Sequence, residues 1–198
     1  SMDFPGPVYG WGPAPADQYS LGFSHEIAQN NNQPDFVIYL TQNSHYPYQD
    51  LPPILADWRA FETFPPVDKG GEKETPRAFR QTRTDYINAI TYTFEMLAQF
   101  ILEISDPNSI IVLMGDHQPP AVSYKGDGFA VPVHVISQDA EFLTQFESYG
   151  FETGFSPSNT ETALRHAGFY SLLVRNLVAR YGVDPENLPP YLPIGMGE

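Results

Sequence analysis

The sequence contains no cysteine. That absence excludes disulfides, zinc-thiolate sites and a thiol nucleophile, and it leaves the redox compartment open. Basic residues are scarce and scattered, with 10 Lys and Arg against 24 Asp and Glu, so the net charge is −14. Nucleic-acid binding needs clustered cations to neutralise phosphates, and the composition argues against that partner. No apolar run reaches the roughly 18 residues that span a bilayer. The opening SMDFPGP also lacks the basic and apolar regions of a signal peptide. Ser1-Met2 reads as a cloning scar ahead of an excised domain, so any membrane link is expected through segments of a longer parent.

What is present suffices for a real core: 41% of the 198 residues are hydrophobic and 14% aromatic, enough for one domain of ordinary size over 1–198. Residues 1–16, rich in Pro, Gly and aromatics, predict an irregular N-terminal segment. Asp17 is placed to cap a short helix ending at the Asn-rich NNNQPD. DFVIYLT (35–41) is a short run of strand formers and reads as a buried strand. Trp58, Phe61 and Phe64 are expected to anchor the next segment.

Residues 77–104 predict the longest helix, with Ile87, Ile90, Phe94, Leu97, Ile101 and Ile104 forming one apolar stripe. Strands are expected at 109–115 and 131–137, a short helix over DAEFLTQFESYG, and a last helix opened by a Ser158–Glu161 capping box and closed at Gly182. Continuous apolar strands interleaved with helices predict an α/β fold, a mostly parallel sheet flanked by helices.

In such a sheet ligands collect beyond the carboxyl ends of the strands. Two predicted strands run into chemistry-bearing loops there: Thr41-Gln-Asn-Ser-His45, and Gly115-Asp116-His117 followed by Gln118-Pro119-Pro120. If the strands are parallel neighbours, His45 shares a rim with Asp116 and His117. A carboxylate beside a neutral imidazole suits a divalent metal such as zinc or manganese. An Asp-His pair after a strand is equally a capped loop, and a loop His is commonly plain surface, so both readings stand at this level. His134 reads as a packed strand residue, His25 and His166 as helix residues, and Asp127 as a turn residue. Arg77, Arg80 and Arg83 could meet an anion but read first as a solvated helix face.

FVIYLTQNSHYPY, YINAITYTFEMLAQFI and IIVLMGDHQPP, in this order, resemble the C-terminal half of the sulfatase and alkaline-phosphatase-like superfamily. The branch they most resemble is the bacterial membrane-anchored group that includes the lipoteichoic acid synthases. The opening YGWGPAPADQYSL is similar to that group's WG-x-x-D helix start. The resemblance implies that Asp116 and His117 bind a catalytic divalent metal (Zn, Mn, Mg or Ca), and that His45 contacts the phosphate or sulfate of an ester substrate. Family enzymes take their nucleophile and further acidic ligands from an earlier strand-loop unit, and nothing similar precedes residue 9. Thr41, Ser44 and Ser123 do not match the nucleophile position. The chain is therefore expected to be the C-terminal portion of a metal-dependent hydrolase or phosphotransferase on the extracytoplasmic face, with an incompletely liganded metal site. The alternative is a non-catalytic sulfatase-like module that binds or scaffolds in the cell envelope.

Overall fold

The computed structural model describes residues 4–9, 14–30, 33–48, 51–65, 79–119, 122–156 and 164–196, with the side chains of residues 79 and 80 excepted. The described chain gathers into two units. The first comprises residues 1–105 with 119–127, and the second residues 106–118 with 128–198. The Ser158–Glu161 capping box, Trp11 and Arg77 lie outside the described residues.

The first unit is helical. Tyr9 and Ala14 form a single antiparallel bridge in the N-terminal segment, with Tyr9 N–H donating to the Ala14 carbonyl at 2.8 Å. Helix α1 follows (Asp17–Gln29), but Ala16 occupies the cap position and makes no side-chain cap bond. Asp17 is instead the first helical residue. Buried Tyr19 on α1 meets the Trp58 indole edge-on at 5.4 Å, and both join Tyr9, Ala16 and Phe61 in one core cluster. A Cβ at Gly22 would stand 2.6 Å from the Trp58 ring, so glycine is what lets α1 lie this close. Trp58 and Phe61 sit on a short 3-10 helix (Trp58–Thr63) whose Asp57 accepts the Arg59 N–H, and Phe64 packs against the same cluster. The three aromatics anchor this segment as the sequence predicts.

Gln18 adds a polar staple: its amide nitrogen donates to the Leu55 carbonyl at 2.7 Å, and its amide oxygen accepts the Leu55 N–H at 3.0 Å. Both groups are at least partly shielded from water, where an unmade bond would cost about 1–3 kcal/mol.

Helix α2 runs over Phe79–Gln99 and ends in a π-turn, Phe100–Ile104. Its buried row is not the expected isoleucine stripe. Thr82, Asp85, Ala89, Tyr92, Thr93 and Met96 are buried, whereas Ile87 is 55% exposed and Phe94 40%. Periodicity found the helix and misassigned its face, because apolar residues line more than one side. Residues 35–41 also differ from expectation. They lie in no strand, and Phe36, Val37, Ile38 and Leu40 face solvent.

The second unit holds the described sheet. Strands β1 (Ile111–Met114) and β2 (Val133–Ile136) pair antiparallel, with Val112 opposite Val135 and Leu113 opposite His134. The mostly parallel sheet expected from sequence is thus replaced, among the described residues, by two antiparallel strands. The reason is the connection: parallel neighbours need a crossover, usually a helix, and no helix occurs in the described part of 115–132. Ile110, Val112, Val133 and Val135 share one sheet face and pack on Phe142, Phe146, Phe169 and Leu172. These come from α3 (Ala140–Thr144), the residues just after it, and α4 (His166–Tyr181). Phe142 and Leu172 are fully buried, so either one truncated to Ala would cost about 2–5 kcal/mol.

Candidate functional site

His45 belongs to the first unit and stands on a turn that the sequence builds from Thr41-Gln42-Asn43-Ser44. Its N–H donates to the Gln42 carbonyl at 3.2 Å, closing the turn. Its ring Nδ1 lies 2.7 Å from the Tyr46 carbonyl oxygen. A carbonyl can only accept, so Nδ1 carries the proton and the neutral ring presents its lone pair at Nε2. Beyond it, Tyr48 adopts a left-handed φ of 62°, an unfavourable conformation for a bulky residue. Packing holds it there: Tyr48 is buried against Ala89 of α2 and against Val122, with Tyr86 edge-on at 5.2 Å.

The other end of the turn is held by Asp17, fully buried at the start of α1. Its Oδ2 accepts the Asn43 N–H at 2.8 Å, its Oδ1 accepts the Tyr39 hydroxyl at 2.7 Å, and the Gln42 N–H lies within 3.0 Å of both oxygens. The Asn43 side-chain oxygen accepts the Asp17 N–H at 2.8 Å in return. Burial pushes the Asp17 carboxyl above its ordinary value, and the Gln42, Asn43 and Tyr39 donors offset part of that by favouring the anion. The Tyr39 hydroxyl is driven upward by its own burial and by the neighbouring carboxylate, so it stays protonated and donates. The sequence marks Asp17 only as a helix cap. The signal for this second role lies in its pairing with an Asn-containing turn 25 residues on, a relationship no local pattern carries.

Asp116 and His117 belong to the second unit, just past the carboxyl end of β1. The Gly115 N–H continues the ladder by one bond, to the Pro132 carbonyl at 3.2 Å, and a Cβ at Gly115 would come within 2.9 Å of Val131 Cβ. A side chain at residue 115 would therefore crowd Val131, and the two candidate side chains emerge immediately after this glycine. Asp116 Oδ1 accepts the His117 N–H at 2.8 Å. The His117 Nδ1 lies 2.8 Å from the Gln118 carbonyl oxygen, which again fixes the proton on Nδ1 in the neutral ring. Gln118 in turn donates from its side chain to the Ala130 carbonyl, tying the loop to the chain that enters β2.

The result is a small acceptor site. His117 Nε2 faces Asp116 Oδ2 at 3.4 Å, and both side chains are more than half exposed. Two lone pairs aimed at one region need a proton or a cation between them. With zinc bonds near 2.1 Å, the edge of a tetrahedral site is about 3.4 Å long, so the spacing suits two ligands of one ion. The backbone carbonyl on the opposite ring nitrogen is the partner that metal-ligating histidines commonly have. Among the described residues no group of three or more His, Asp or Glu converges in this way. The pair fits a divalent metal as part of a ligand set.

The hydroxyls near these turns are engaged locally. Thr41 and Ser44 bond each other at 2.8 Å, and Ser123 donates to the Pro119 carbonyl at 2.8 Å. Asp127 accepts the Tyr124 N–H at 2.7 Å, the turn role expected of it. Arg83 reaches the Tyr124 hydroxyl at 3.2 Å. His134 stacks on Phe155, with centroids 4.6 Å apart and planes 4° from parallel, and burial lowers its pKa. It is a packed strand histidine.

One comparison with known proteins covers these segments. Curated proteins and solved structures give no match, but a family model described as Sulfatase matches residues 9–132, which takes in Asp17, His45, Asp116 and His117. That stretch is well over half of the chain and implies an alkaline-phosphatase-like α/β fold; the chain belongs to the sulfatase family.

Proposed function

We propose that this chain contributes part of the metal and substrate site of a hydrolase or phosphotransferase acting on phosphate or sulfate esters. The observation that carries the reading is the Asp116–His117 pair. It places a carboxylate oxygen and an imidazole lone pair 3.4 Å apart, with the opposite ring nitrogen tied to a carbonyl. A divalent metal held there would polarise the ester and stabilise the charge that develops on its oxygens. His45, its Nδ1 tied to the Tyr46 carbonyl, would contact the phosphate or sulfate group of the ester. The nucleophile and the remaining acidic ligands would come from elsewhere in a longer parent. The parent we propose is a membrane-anchored sulfatase-domain protein similar to the lipoteichoic acid synthases, with this region outside the cytoplasmic membrane.

Calorimetric titration with zinc and with manganese tests the reading. The chain should bind one ion, and Asp116→Ala and His117→Ala should each weaken binding at least about tenfold, or ~1.4 kcal/mol. Equal affinity in all three proteins would remove the metal role of the pair. No binding in any of them would leave the sulfatase-like fold as a non-catalytic binding or scaffolding module.

A further inference from the structure

The centre of the His45 turn is anchored from a distance. Tyr39, Gln42 and Asn43 all reach back to one carboxylate on α1. Asp17 has 0% of its surface exposed, and Asn43 has 1%. A buried carboxylate is costly to desolvate and persists only where several donors satisfy it. Here three donors converge on it, two of them backbone N–H groups at the centre of the turn. Its place in the first turn of α1 adds the favourable end of the helix dipole. The His45 N–H then bonds the carbonyl of Gln42, the same residue whose N–H is held by Asp17. Asp17 therefore sets the backbone from which His45 projects.

We infer that Asp17 is a positioning residue for His45, holding the Gln42–His45 turn so that the imidazole is presented in one orientation to an anionic ligand. The part concerning the anion rests on the proposed role of His45; the part concerning the turn stands on the hydrogen bonds alone. Asn is the informative replacement, because it keeps the shape and one oxygen but turns the other acceptor into an NH2 group that faces a backbone N–H. Tyr39→Phe is the milder companion. It removes one donor and leaves both backbone bonds.

The test uses the whole chain and two measurements. Amide hydrogen exchange reports the turn, with Gln42 and Asn43 N–H protected in the native chain. In Asp17→Asn they should exchange at least about tenfold faster, while Met96 on α2 keeps its protection. The His45 ring resonance, titrated with inorganic phosphate and with inorganic sulfate, reports presentation. Its apparent Kd should rise several-fold in Asp17→Asn and little in Tyr39→Phe. Gln42 and Asn43 amides that exchange at free-chain rates in the native protein overturn the inference, and do so even if Asp17→Asn fails to fold. So does an Asp17→Asn protein with native exchange and native anion affinity. A native His45 that ignores both anions, alongside protected amides released in Asp17→Asn, sinks the oxyanion role of His45 and upholds Asp17 as the residue that positions it.

Discussion

Arg180 Nε stands 2.7 Å from Asp139 Oδ2 and ties the end of α4 to the start of α3. The Tyr181 hydroxyl donates to the same oxygen at 2.9 Å, and Asp139 Oδ1 accepts the Phe142 N–H at 3.1 Å as the cap of α3. One carboxylate thus serves as helix cap and inter-helix tie. The Arg180 hydrogen bond, helped by the cap and Tyr181, pulls its pKa from 3.8 down to about 2.

The sign of the resulting pH dependence follows from proton counting. Between about pH 2 and pH 4 the unfolded chain binds more protons at this site than the folded one, so stability rises with pH across that window. The contribution is complete above the unfolded value and is lost as pH falls through about 2. Asp139→Asn keeps a good cap residue and deletes the charge. Thermal melts from pH 2 to pH 5 should show a shallower rise in Tm for Asp139→Asn than for the native chain. Parallel curves would show that the Arg180 contact does not shift the carboxyl.

Gly115→Ala tests the strand end that presents Asp116 and His117. The new methyl would meet Val131 Cβ at 2.9 Å on the adjoining chain, which cannot swing away as a flexible side chain could. The expected loss is about 1–3 kcal/mol, read from the midpoint of urea unfolding. Gly126→Ala is the control, since nothing lies within 4 Å of the Cβ it adds and its φ is not positive. It should be neutral or gain up to about 1 kcal/mol through the unfolded state. Equal effects at the two glycines would mean that Val131 does not crowd residue 115.

The sequence was most informative where chemistry is local. GDH after an apolar run marked Asp116 and His117 as candidates, and the described hydrogen bonds of the two reach no further than Gln118. Helices α1, α2 and α4 were legible because periodicity and stop signals such as Asn30 and Gly182 lie within one segment. The face of α2 was not, because burial of Thr82, Asp85 and Thr93 depends on which other segments approach it. Strand direction was equally hidden. Five apolar residues at 110–114 look the same in a parallel or an antiparallel pair, and the connection after them decides. Asp17 was visible as a helix start but not as the clasp on Gln42 and Asn43, since that role exists only after the chain has brought residues 17 and 43 together.

Residues 36–40 carry the last prediction. Phe36, Val37, Ile38 and Leu40 are 80%, 52%, 75% and 66% exposed while Tyr39 turns toward Asp17. An apolar stretch of strand formers with no strand beside it among the described residues favours edge-to-edge association. Ile38→Lys places a charge on the solvent side and leaves the Tyr39–Asp17 bond untouched. Light scattering should show less concentration-dependent association for Ile38→Lys, and its stability should stay within about 0.5 kcal/mol of native, as for other surface substitutions. A fall of several kcal/mol would mean that Ile38 is buried in the folded protein, as a core strand would require, and that these residues do not form an exposed edge.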